Sequence, residues 1–146
     1  MRPAPWQRFL NQADHNQKLA DLLEAQAPND FPDWVVTALF YKGLHWLSAW
    51  LTQQQCPPAG FASHGATRTT IHPNPRTKPT PHIPVSKRAY EAYTELYNLS
   101  LTARYPGFLS EPAMQTAALN DITRCKQDLE ILRQFIENKG LILTET

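Results

Sequence analysis

The stretch from Trp34 to Leu51 is apolar around nearly the whole circumference of a helix, with Val35, Leu39, Phe40, Leu44, Trp46, Leu47 and Trp50 spread over every face. A helix apolar on all sides must be buried on all sides, so this segment is predicted to be the centre of the fold, or to lend one face to a second subunit. Its length approaches a membrane span. Lys42 and His45 lie in its middle, however, and a charge there costs about 2.5–3.5 kcal/mol on insertion. No membrane role is expected, and Asp33 is predicted to cap the helix, which runs over 34–54.

Three further helical patterns surround it. Trp6, Phe9, Leu10, Ala13, Ala20 and Leu23 recur at helical spacing over 6–25, and Pro28 to Pro32 ends that pattern. A helix starting near Val85 or Ser86 carries Ala89, Tyr90, Tyr93, Tyr97 and Leu101 on one stripe, stopping before Pro106-Gly107. The last helix follows Ser110-Glu111-Pro112, with Pro tolerated in its first turn. Its Ala118, Ile122, Cys125, Leu129, Leu132 and Ile136 alternate steps of four and three, a narrow seam suited to an antiparallel neighbour. With 146 residues and no strand pair, the chain is predicted to be one all-α domain over 1–146, an antiparallel four-helix bundle.

Between the second and third of these helices lies a proline-punctuated basic segment, 57–84, predicted to be a long loop across one end of the bundle. Pro73, Pro75, Pro79, Pro81 and Pro84 exclude a helix over 73–84. No acidic residue occurs between Trp34 and Tyr90, whereas Lys42, Arg68, Arg76, Lys78, Lys87, Arg88 and four of the five histidines do. The whole chain carries a formal charge of only +1, so any attraction for anions is local. Arg and Lys offer charge-assisted donors to phosphate oxygens, and loops of this length inside compact domains are usually functional or disordered.

Within it, Ser63-His64-Gly65-Ala66-Thr67-Arg68-Thr69-Thr70-Ile71-His72 concentrates the chemistry. If Ala66 to His72 is helical, Arg68 and His72 share a face at i and i+4. An imidazole beside a guanidinium is a minimal kit for metal-free RNA cleavage: one moves a proton to or from the ribose and leaving oxygens, the other offsets charge on the phosphorane. Ser63 followed by His64 also reads as a helix cap with local packing, or as a phosphate contact. His45 reads as a satisfied core histidine. The tyrosines read as core lining with hydroxyls reaching outward, or as base-stacking surfaces. Arg104, at the end of its helix, complements the helix dipole or helps hold a phosphate.

Trp34 to His45, then Ser63-His64 followed by Arg68, then Ala103-Arg104-Tyr105, resemble in order and spacing the HEPN family, small helical-bundle proteins often found in prokaryotic toxin–antitoxin and defence systems. The resemblance implies a homodimer and a metal-independent endoribonuclease, with Arg68 and His72 as the catalytic pair, while His64, Arg76, Lys78 and Arg104 are, by residue type and position, the candidates for contacting RNA. It also implies an antitoxin or nucleotidyltransferase-like partner protein. The family's ribonucleases place four to six residues between arginine and histidine, whereas three separate Arg68 from His72. Arg76 and His82 have five between them, but Pro79 and Pro81 deny that pair a helix. A non-catalytic subunit binding nucleic acid or a partner, and a structural helical interaction module, are therefore alternatives.

Cys56 and Cys125 are far apart and not in ligand spacing, which predicts free thiols in a reducing, cytoplasmic setting and no metal. The N-terminal residues lack the apolar core of a secretion signal. No cofactor-binding motif, phosphate-cradling glycine loop or serine nucleophile elbow is present, so no cofactor is expected.

Overall fold

The computed structural model describes residues 2–27, 29–74, 81–104 and 111–143; for Glu111, Met114 and Gln115 only the backbone is described. Five α-helices account for the regular structure, and no strand occurs among the described residues. They are α1 Gln7–Gln26, α2 Pro32–Gln53, α3 His64–Ile71, α4 Lys87–Arg104 and α5 Glu111–Asn138, with a 3-10 turn at Pro58–Phe61 before α3.

The central role expected of the 34–54 segment is what the packing shows. α2 touches α1, α3, α4 and α5, and Val36, Leu39, Phe40, Leu47 and Leu51 are sealed within the core. Its close approach to α4 and α5 is made at Gly43, where an added Cβ would stand 3.1 Å from Leu96 and 3.2 Å from Leu129. The seam read on α5 is likewise buried throughout, from Ala118 to Ile136. One cap differs from expectation. The helix begins at Pro32, whose ring presets φ for a first helical position, so Phe31 is the N-cap and Asp33 falls inside the first turn, where its charge suits the dipole.

The 57–84 segment is more structured than a long loop. Ser63 Oγ accepts the Ala66 N–H at 3.0 Å and starts α3. Thr67 and Thr69 return their hydroxyls to the carbonyls of Ser63 and Gly65. The chain then comes back over the end of α3, the N–H groups of Ile83 and Val85 donating to Thr70 and Ile71 carbonyls at 3.0 Å. Those carbonyls would otherwise be orphans of the helix end. Residues 81–86 are non-helical, as the prolines require, and 75–80 lie outside the described residues. No described helix is long and apolar enough to cross a membrane.

Candidate anion-binding site

α3 lies along the first half of α4 in the opposite sense, so that His64 meets Tyr93 and Tyr97 while His72 meets Tyr90. Being the first residue of α3, His64 is aimed inward by the Ser63 cap. Its ring stacks on Tyr97 with centroids 3.3 Å apart, and its Nδ1 is 2.9 Å from the Tyr93 hydroxyl. Phe40 of α2 closes the back, 6.0 Å from the His64 ring and 5.6 Å from Tyr97.

Two arginines bear on this histidine. Arg68 is one turn along α3, and Arg104 comes from the last turn of α4. Burial pushes the His64 imidazole down to about 4, with the charges of Arg68 and then Arg104 adding to the effect. The ring is therefore neutral at pH 7. Arg104 donates from Nε and Nη2 to the carbonyl and hydroxyl of Ser100, and its guanidinium lies 5.8 Å from the Tyr41 ring centre. Arg68 has no carboxylate or hydrogen-bond partner among the described residues, although it is half-buried. A partly desolvated guanidinium without a counter-ion is a cost to the fold.

The proton positions follow from the network. Tyr93 is fully buried, and burial raises its phenol well above the ordinary range, so the hydroxyl keeps its hydrogen. Its hydrogen-bond partner among the described residues is His64 Nδ1. Donation from the phenol to Nδ1 leaves the His64 proton on Nε2, the opposite edge of the ring. His64 Nε2–H thus adds a neutral donor to the two guanidinium groups.

His72 is held differently. It is the C-cap of α3, its ring centred 4.7 Å from Tyr90, and its Nδ1 accepts the Asn74 backbone N–H at 2.9 Å. A backbone amide can only donate, so neutral His72 also carries its proton on Nε2. His82 Nε2 lies 3.0 Å from the His72 carbonyl, pinning the returning segment. The charges of Arg68 and Arg104 thus both bear on His64, and that of Arg68 on Tyr93, while His72 lies with Tyr90, Asn74 and His82. Arg76 and Lys78 lie outside the described residues, as does Tyr105.

The sequence marks His64 and Arg104 separately, and carries no local signal that Tyr93 fixes the imidazole or that Tyr41 underlies Arg104. The i and i+4 relation between His64 and Arg68 was present in the sequence and was as good a signal as the one between Arg68 and His72. His45, read as a core histidine, is half-buried, and burial lowers its imidazole.

No group of three or more potential metal ligands occurs among the described residues. Both cysteines are buried and unbridged. Burial raises the Cys125 thiol to about 12, with the carboxyls of Asp128, Asp121 and Glu95 adding to it. Thiolate is the reactive form, so Cys125 should resist alkylation in native protein at pH 8 and react once unfolded. Mass spectrometry after a timed iodoacetamide pulse checks this; rapid native labelling would contradict the burial. No protein-family model, no curated protein and no solved structure matches the chain.

Proposed function

We propose that this chain is a HEPN-like helical protein that binds the phosphate backbone of RNA through Arg68, Arg104 and His64, without cleaving it. The observation that carries the proposal is Arg68: a half-buried guanidinium with no counter-ion among the described residues, beside a second arginine and a neutral imidazole. Guanidinium forks match phosphate oxygens in charge and geometry, and the His64 Nε2–H supplies a donor that adds no like charge.

Cleavage by an Arg68/His72 pair is the weaker reading on chemical grounds. A general base needs a lone pair facing the ribose hydroxyl, and those of His64 and His72 are taken up by the Tyr93 hydroxyl and the Asn74 backbone N–H. Using His72 as acid and base would mean giving up the Asn74 hydrogen bond. The antiparallel four-helix bundle, and a homodimer that covers the exposed Phe31 and Trp34 at the start of α2, belong to the same proposal. So does a reducing cytoplasmic setting, supported by two unbridged thiols. An antitoxin or nucleotidyltransferase-like partner rests on the family resemblance alone.

The test is binding of a labelled single-stranded RNA across a salt series, with the RNA then run on a gel. Affinity should fall linearly on a log–log plot, by about 0.7 in slope per phosphate contacted. The RNA should remain intact. Salt-independent association would point to the interaction-module alternative. Metal-independent cleavage that ends with His72→Ala would replace binding with catalysis.

A further inference from the structure

The seam between α4 and α5 holds a carboxyl group with no part in the anion site. Asp128 lies on the buried face of α5, 7% exposed. Its carboxyl adjoins that of Glu95 on α4, within reach of a carboxyl–carboxyl hydrogen bond, and its Oδ2 is sealed from solvent with no hydrogen-bond partner among the described residues. A hydrogen bond between two carboxyl groups requires a proton on one of them, since ionised carboxylates only accept.

The charged surroundings decide which one holds it. On α5, Arg124 pairs with Glu95 and lies 3.8 Å from Asp121. The buried Cys125 thiol is adjacent and uncharged. α2, the other helix packed against α5, contributes Asp33 and Lys42 as its charged residues; neither acts on Asp128, and Lys42 is bonded to Gln17 of α1. Glu95 is therefore the ionised member, held below its usual range by the Asp128 hydrogen bond and by Arg124. Burial, then the hydrogen bond and charge of Glu95, push Asp128 up to about 8, against the pull of Arg124.

We propose that a single proton shared by Asp128 and Glu95 closes the α4–α5 seam, and that its loss at alkaline pH sets two buried-edge carboxylates against each other and loosens the helices there. The folded chain then binds one more proton than the unfolded chain between about pH 4, where a free Asp titrates, and about pH 8. The stability this proton contributes is fully present below that window, declines as pH rises through it, and is gone above it. Glu95 shifts the other way and acts mainly at acid pH, so the alkaline half of the window isolates Asp128.

Urea unfolding of the full chain at a series of pH values from 5.5 to 9, for wild type and Asp128→Asn, tests the proposal. Asparagine keeps the shape and donates to Glu95 without a titrating proton. Relative to Asp128→Asn, the wild-type unfolding constant should rise by up to about tenfold per pH unit below pH 8 and level off above it. Parallel profiles for the two proteins would overturn the proposal. Should Asp128→Asn fail to fold, the carboxyl carbon of Asp128 followed by NMR in wild type decides instead. A midpoint near 8 sustains the shared proton, and one near 4 rejects it.

Discussion

Phe40→Ala should lower the unfolding free energy by about 3–5 kcal/mol, the usual cost of emptying a buried aromatic position. Phe40 is 1% exposed and its ring contacts Tyr41, His64, Tyr93 and Tyr97. The resulting cavity opens directly behind the imidazole, so the damage should exceed stability alone. His64 loses the wall that presses it against Tyr97, and water gains access to a ring that burial now keeps neutral. Its midpoint should rise from about 4 toward the ordinary histidine range. Leu132→Ala is the control: also fully buried, but on α5 and away from the site, it should cost about 2–5 kcal/mol while leaving RNA affinity per folded molecule unchanged. Denaturant melts, a His64 proton titration and binding of both variants under folding conditions make the comparison. A loss below about 1 kcal/mol for Phe40→Ala would mean that the aromatic wall is not packed as described.

The parts of this fold that could be read in the sequence are those whose signal is local and periodic. α2 announces itself by apolar residues on every face, and α5 by a seam of steps of four and three, because burial geometry fixes both patterns. α3 was visible only as a conditional turn. It is eight residues long, three of them threonine, with a glycine, and intrinsic propensity does not favour it. What holds it is non-local. Thr67, Thr70 and Ile71 are buried, and the chain returns at 83 and 85 to satisfy its end. The candidate site follows the same division. Ser63 as a cap was legible from residue type and position. The pairing of His64 with Tyr93, 29 residues away, depends on how α3 docks on α4, which no local pattern encodes. The spacing that suggested Arg68 with His72 is equally met by His64 with Arg68, and which tyrosine of α4 each histidine meets is set by docking that no local spacing records.

Arg68→Ala should abolish most RNA binding while leaving the protein at least as stable as wild type. The two effects share one cause. A half-buried guanidinium with no carboxylate among the described residues, close enough to Arg104 for both to act on His64, is held at a cost that removal relieves. In the proposed complex this guanidinium meets a phosphate, where charge-assisted hydrogen bonds are worth about 1.5–3 kcal/mol, or roughly 10- to 150-fold in affinity. The salt slope for single-stranded RNA should shrink by about 0.7 as one phosphate contact disappears. Arg68→Lys should fall between the two, keeping the charge but losing the fork that meets two oxygens at once. His64 reports on the change without any ligand. With the second cause of its depression removed and burial retained, its titration midpoint should rise above 4 yet stay below that of a solvent-exposed histidine. Affinity unchanged in Arg68→Ala, with the His64 midpoint shifted as expected, would place the electrostatics correctly and remove the phosphate from this site.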